Sequence, residues 1–121
     1  MGAAVIALPW PPSLNRYYRN VGGRTLISKA GREYRRAVCE IAARSNWPRH
    51  GAARLRVSVW VQPPDRRRRD LDNISKSVLD ALTHAGVWDD DSQIDALHIE
   101  RAVVCPGGRL LVVIEAGDET K

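Results

Sequence analysis

The stretch that decides the fold is Leu55-Arg56-Val57-Ser58-Val59-Trp60-Val61, read together with the helical pattern that begins at Leu71. In the first, apolar Leu55, Val57, Val59 and Val61 alternate with Arg56, Ser58 and Trp60. That is the period of a half-buried strand. Pro63-Pro64 ends it. In the second, Leu71, Ile74, Val78, Leu82 and Ala85 recur at three and four, the period of a helix with one core face. The helix is predicted to begin near Leu71 to Asn73 and to stop at Gly86, a favourable residue just past a helix end. A further strand is predicted over roughly Ile94 to Val104. Strand, helix, strand in succession points to a partly parallel sheet.

Toward the N-terminus, Ser28 can cap a helix running to about Ser45. Ala30, Tyr34, Ala37, Val38, Ile41 and Ala42 form its apolar stripe, with Arg32, Arg35, Arg36 and Arg44 largely off it. Ala3 to Leu8 reads as a first strand, and Pro9 to Gly23 as a connecting segment rich in Pro, Asn and Gly. Toward the C-terminus, Pro106-Gly107-Gly108 reads as a turn into Arg109–Glu115. The run Leu110 to Ile114 has no alternation, which predicts a strand buried on both faces. The expected architecture is α+β. It is a single domain over 1–121 of order β-α-β-α-β-β, a mixed sheet with two helices and a C-terminal hairpin.

The chain has 121 residues and a formal net charge of +5. That length is one domain and leaves no room for a nucleotide-binding domain beside a catalytic one. Residues 1–69 carry 15 bases and 3 acids, and residues 70–121 carry 4 bases and 11 acids. The chain is therefore a +12 segment joined to a −7 segment, with the border between Arg69 and Asp70. Sixteen of the bases are Arg, whose planar fork suits phosphate better than Lys. This asymmetry suggests a polyanion-binding surface next to acids with a separate task. Two cysteines, Cys39 and Cys105, make neither a disulfide framework nor a Cys-x-x-Cys site. The apolar start lacks a basic flank and is halted by Pro9, so it does not read as a signal peptide. No apolar run approaches the ~20 residues of a membrane span. The expectation is a cytoplasmic protein with no membrane partner and no nucleotide cofactor.

The densest constellation is Asp70-Leu71-Asp72-Asn73-Ile74-Ser75-Lys76, directly after Arg66-Arg67-Arg68-Arg69. Carboxylates at a helix N-terminus are ordinarily caps and dipole partners. Asp72 and Lys76 are also spaced for a surface ion pair. The second acidic group, Asp89-Asp90-Asp91, follows the same helix. It is a solvated turn if it stands alone. The helix between the two groups is ~20 Å long, so they meet only if the chain after Gly86 folds back along it. If they do, three carboxylates without His or Cys suit Mg²⁺ or Mn²⁺ rather than zinc. Acids beside an arginine run then suggest a phosphodiester substrate. A nuclease needs phosphate-holding bases, a metal to polarise the phosphoryl oxygen and an activated water. His50, His84 and His98 read as structural, and Trp10, Trp47, Trp60 and Trp88 as packing residues. Tyr17 and Tyr18, flanked by Arg16 and Arg19, are the better nucleic-acid contacts.

The segment from Asp65 to Asn73, with Lys76, Asp80-Ala81-Leu82, Gly86, Trp88, Asp90-Asp91 and Gln93, resembles the RusA-type Holliday-junction resolvases. Leu8-Pro9-Trp10-Pro11-Pro12-Ser13, with Asn15 to Tyr18, and Gly107-Gly108-Arg109-Leu110 fit the same family, so the resemblance spans nearly the whole chain. The resemblance implies a homodimeric, Mg²⁺-dependent endonuclease. It would make paired nicks in four-way DNA junctions, leaving 5′-phosphate and 3′-hydroxyl ends. It implies Asp70, Asp72 and Asp91 as catalytic metal-holding acids and Lys76 as the catalytic lysine, with Asp90 a further candidate ligand. Asp89 adds an acid where relatives carry an apolar residue, so the choice of metal-facing acid within Asp89–Asp91 is open. Arg66, Arg67, Arg68, Arg69, Arg16, Tyr17 and Arg19 are the candidate DNA contacts. The competing readings are a non-catalytic DNA-binding module and a metal-dependent nuclease for another branched DNA.

Overall fold

The computed structural model describes residues 4–117. Ala3, the expected start of the first strand, lies outside the described residues. Strand β1 spans Ala4–Pro9 and is followed by a one-turn helix α1, Leu14–Tyr17. A small hairpin comes next, β2 (Tyr18–Val21) and β3 (Arg24–Ile27), turning at Gly22-Gly23. Helix α2 spans Lys29–Ser45 and β4 spans Leu55–Gln62. Helix α3 spans Leu71–His84, a 3-10 turn covers Asp91–Gln93, and strands β5 (Ile94–Arg101) and β6 (Arg109–Ala116) complete the chain. Among the described residues no helix is long and apolar enough to cross a membrane.

The main sheet has the order β1-β6-β4-β5. The expected strand-helix-strand unit is present: β4 and β5 pair in parallel, from Leu55 opposite Ile94 to Val61 opposite Arg101. The expected C-terminal hairpin is not. β5 and β6 lie on opposite sides of β4, and β6 runs antiparallel to both β4 and β1. The segment after β5 is tied to the end of β4, with Ala102 N–H donating to Val61 and Cys105 N–H to Pro63. It thus carries the chain past β4 instead of turning back on β5. The long connecting segment between β1 and α2, expected to be irregular, also holds structure, namely α1 and the β2–β3 hairpin. Among the described residues there are three α-helices rather than two.

Helices α2 and α3 cover one face of the sheet. Ile6, Leu8, Val57, Val59, Leu110, Val112 and Ile114 point into that layer and are almost completely buried. They meet Tyr34 and Val38 from α2 and Val78, Ala81 and Leu82 from α3. Each such side chain contributes about 1.5–3 kcal/mol when fully buried. On the other face, Ala7 is exposed, and Trp60, Leu111 and Val113 are half-buried without a covering layer. Val5 beside Val113 is 66% exposed. So β6 is buried on one face, not both, and the sheet keeps an open apolar side.

Ser28 caps α2 as expected, accepting from Gly31 N–H at 3.0 Å. Helix α3 ends with Gly86 at φ +78°, a left-handed position that glycine takes without strain. Val87 N–H returns to Leu82 at 3.1 Å. Val87 and Trp88 then bury in the core, and the Trp88 indole donates to Thr83 Oγ1 at 2.6 Å.

Candidate active site

The loop that delivers the chain to α3 is held by its own charges. Asp65 Oδ1 accepts from Arg67 N–H at 3.0 Å and lies 2.8 Å from the Arg69 guanidinium. Arg69, with a second hydrogen bond to the Asp65 carbonyl at 3.2 Å, lowers the Asp65 carboxyl below its ordinary range. The same guanidinium sits 5.4 Å over the Trp10 ring, and Arg101 donates to the Arg69 carbonyl. Arg69 is therefore part of the scaffold. Arg66, Arg67 and Arg68 are exposed around it. With Arg101 they line a basic hollow of about 260 Å³.

Asp70 occupies the N-cap position of α3 with extended backbone, yet its side chain makes no capping bond. Asp72 is the acid of the first turn and Lys76 lies one turn further. Both are exposed, and no ion pair between them forms among the described residues. The ordinary roles of cap and surface pair are thus left unused by these groups. Asp70 opens on a cavity of about 330 Å³ lined also by Trp10, Arg68, Arg69 and Asn73. Lys76 faces a wider hollow of about 480 Å³ against the β2–β3 hairpin, with Asn15, Tyr18, Arg19 and Asn20.

Trp10 is held beside Asp70 by a close backbone approach. A Cβ at Gly108 would lie 2.9 Å from two Trp10 ring atoms and 3.0 Å from Pro64 Cδ. This gives the Gly107-Gly108 pair a task beyond turning. Trp10, read from the sequence as a packing residue, lines the cavity beside the acids.

One sequence assignment is overturned. Tyr17 is 0% exposed, so it is not available to DNA. Its hydroxyl donates to Asp80, which also takes two bonds from Arg35. Burial first, then the Asp80 hydrogen bond, push the Tyr17 phenol far up. Its neighbour Tyr18 is the one that reaches the Lys76 hollow, packed edge-on against Tyr17 at 4.8 Å. Arg16 and Arg19 are exposed as expected. Arg101 was missed because nothing local in its strand marks it. Only the register of β5 beside β4 brings it to the arginine loop.

The acidic triplet is divided in function. The Asp90 carboxylate accepts from Ser92 N–H at 3.1 Å and from the Ser92 hydroxyl, which lower its pKa. Gln93 Oε1 accepts from Asp90 N–H at 2.9 Å, completing a capping box. Asp90 thus has a structural task in holding the turn. Asp91 opens the 3-10 turn, exposed and with no side-chain hydrogen bond or ion pair among the described residues, though its charge is felt at Tyr18. It does not meet Asp70 and Asp72 within the chain. Gln93 is fastened to the carbonyls of Gly51, at 2.8 Å, and Ala53, just before β4 begins. Asp70 lies past the other end of β4, where Arg101 holds Arg69. Among the described residues no group of three or more His, Cys, Asp or Glu is gathered to hold a metal.

The free groups are all hard oxygen donors, the chemistry that Mg²⁺ and Mn²⁺ prefer. Beside them stand an uncommitted lysine and exposed arginines, at a border between opposite charges. The family model for endodeoxyribonuclease RusA matches residues 9–115. The chain belongs to the RusA family. A relative in Escherichia coli K12, the crossover junction endodeoxyribonuclease RusA, is 44% identical over 120 residues, covering 98% of this chain and all of the relative. The RusA protein of enterobacteria phage 82, of the same description, is 47% identical over 115 residues, covering 94% of this chain and 96% of that one. That of enterobacteria phage HK97 is 47% identical over 107 residues, covering 88% and 89%. The sequence resemblance to RusA is thereby confirmed at the level of family.

Proposed function

We propose that this RusA-family protein is an endodeoxyribonuclease that resolves four-way DNA junctions. It acts as a homodimer with Mg²⁺, or Mn²⁺ in its place, in the cytoplasm alongside the nucleoid. One observation carries the reading: Asp70 and Asp72 stand at the N-terminus of α3 without capping or ion-pair duties, directly after exposed arginines. The names of the RusA relatives support the substrate.

In this reading Asp70, Asp72 and Asp91 would hold the metal, which would supply polarisation of the phosphoryl oxygen and a lowered pKa for an attacking water. The protein's own residues do the rest. Arg66, Arg67 and Arg68, with Arg16 and Arg19, bind backbone phosphates and set the register of the duplex arms. Lys76 places its ammonium one turn from Asp72, where it offsets charge developing on the phosphoryl oxygens. The bond to the 3′ oxygen breaks, leaving a 5′ phosphate and a 3′ hydroxyl.

Each chain carries one such set of acids, so paired nicks on two strands require two chains. A C₂ dimer matches the near two-fold symmetry of the junction. The open sheet face of Val5, Ala7, Trp60, Leu111 and Val113 is the apolar surface that supports a second copy.

The test is cleavage of a synthetic four-way junction with Mg²⁺ and with EDTA, compared with fork and linear duplex. The expected result is paired nicks in the junction only with metal. The Asp70→Asn variant should bind the junction but not cut it. Binding without cutting under every condition points instead to a non-catalytic module, and preferential cutting of forks to a different branched substrate.

A further inference from the structure

We infer that the hollow between the β2–β3 hairpin and α3 is a nucleotide subsite, which holds one base drawn out of the helical stack beside the phosphate to be cut. Tyr18 is the face on which that base stacks. This deepens the reading of the protein as a junction nuclease and rests on it.

The hollow measures about 480 Å³, within the ~300–1,000 Å³ usual for small-ligand sites. Tyr18, Asn15, Asn20, Thr25, Arg19 and Lys76 line it, and no acid does among the described residues. Arg19 and Lys76 suit a phosphate. The Tyr18 ring suits the face of a heterocycle, and asparagine amides suit the donors and acceptors along its edge. A nucleotide has all three parts. The Asn15 amide is exposed. Asn20 Oδ1 accepts from Thr25 at 3.1 Å, which leaves the Asn20 N–H groups to donate.

Tyr18 is a fixed platform. Its backbone N–H returns to the Leu14 carbonyl, and it opens β2 opposite Ile27. Its ring meets that of buried Tyr17 edge-on at 4.8 Å. Tyr17 is tied at both ends. Ser28 N–H and the Ser28 hydroxyl each donate to its carbonyl at 2.9 Å, and its own hydroxyl reaches Asp80, where Arg35 is fastened. A ring held in this way loses little further freedom when a base lies on it. Tyr18 is nevertheless only half-buried, and it borders the hollow. Lys76 shares that hollow one turn past Asp72, and the charge of Asp91 is felt at the Tyr18 phenol. A nucleotide bound there is next to the acids.

The interior of a duplex shows the edges of its bases and hides their faces, so only a base that has left the stack can lie on Tyr18. Drawing a base out is least costly where its pairing and stacking are already disturbed, as beside a branch point. The subsite thereby favours branched over linear DNA through the cost of unstacking.

The test uses a synthetic four-way junction in which each nucleotide next to the branch point is replaced in turn by an abasic residue, with affinity measured in EDTA. Wild-type protein should lose about tenfold at one of these positions, the size of one base–aromatic stack. Tyr18→Ala should lose about as much on the intact junction and nothing more on the abasic one, while Tyr18→Phe keeps the wild-type pattern. A wild-type protein indifferent to every abasic residue overturns the proposal, even where Tyr18→Ala does not fold. So do losses that simply add, because ring and base then act apart, and so does a Tyr18→Phe chain as weak as Tyr18→Ala. A wild-type protein that binds the junction but never cuts it with Mg²⁺ removes the nuclease reading alone, and the comparison in EDTA still decides the subsite.

Discussion

Arg35 on α2 grips Asp80 on α3 at two points, 2.9 Å from Nε to Oδ2 and 3.1 Å from the terminal nitrogen to Oδ1. The buried Tyr17 hydroxyl closes on the same carboxylate. Three helices thus converge on one acid, one turn beyond Lys76. The side chains of Arg35 and Asp80 keep 25% and 28% exposure, so the pair lies between a surface bridge and a buried one. Asp80→Ala should cost about 1–3 kcal/mol in urea unfolding, because it leaves Arg35 and Tyr17 without their acceptor.

The same pair predicts a pH dependence. Burial pushes the Asp80 carboxyl up, but hydrogen bonds from Arg35 and Tyr17 outweigh it and hold the group below its ordinary value. A folded-state pKa below the unfolded one stabilises the protein above the unfolded value, near 3.9, and that stability is lost as pH falls through the folded value. The stability gap between wild type and Asp80→Asn should therefore be full at pH 6 and shrink below pH 4. Urea titrations at the two pH values measure it.

Tyr17→Phe separates scaffold from DNA contact. It keeps the buried ring and removes one hydroxyl, so a loss of about 1 kcal/mol in stability is expected. The slope of junction affinity against salt should not change. A reduced slope would place Tyr17 on the phosphate backbone, against its burial.

The arginine loop divides in the same way. Arg67→Ala with Arg68→Ala should lower the salt slope by about 1 for each phosphate left without its arginine, with little change in stability. Arg69→Ala should instead lower stability by about 1–2 kcal/mol, since Asp65 and Trp10 both lose their neighbour. Salt-dependent binding and thermal unfolding on the same variants check both.

Gly108→Ala should be harmful beyond its size. The backbone there has φ +73°, and the new methyl would collide with Trp10 and Pro64. We expect a loss of about 1–3 kcal/mol and slower junction cleavage, because Trp10 lines the cavity that holds Asp70. Tryptophan fluorescence and unfolding report the two effects.

Much of this fold is legible in the order of residues. The alternation from Leu55 to Val61, the helical period from Leu71 and the stop at Gly86 all describe local geometry, which neighbouring residues determine. Strand partnership does not. Pro106-Gly107-Gly108 suggests a hairpin, yet β6 pairs with β1 and β4. Leu110 packs in the same way whichever apolar strand lies beside it, so its pattern cannot name the neighbour. The β2–β3 hairpin escapes notice because Arg19, Asn20, Arg24 and Thr25 lack an apolar face. At the site, Asp70, Asp72 and Lys76 were visible as a local motif. The burial of Tyr17, the arrival of Arg101 and the distance to Asp91 depend on how distant segments pack. Family resemblance pointed to Asp70, Asp72 and Asp91 but did not say that one chain would hold them at different ends of β4.

The placement of β6 has a bearing on synthesis. This strand lies between β1 and β4, so two neighbours made earlier have no hydrogen-bonded link until it is inserted. Its pairing of Leu8 with Leu110 joins segments from opposite ends of the chain, and such long-range pairings fold late. A ribosome-bound fragment that already displays the arginines and Asp70 would still lack the centre of its sheet. The arginines and Asp70 are thereby set on a complete sheet only after β6 has been made.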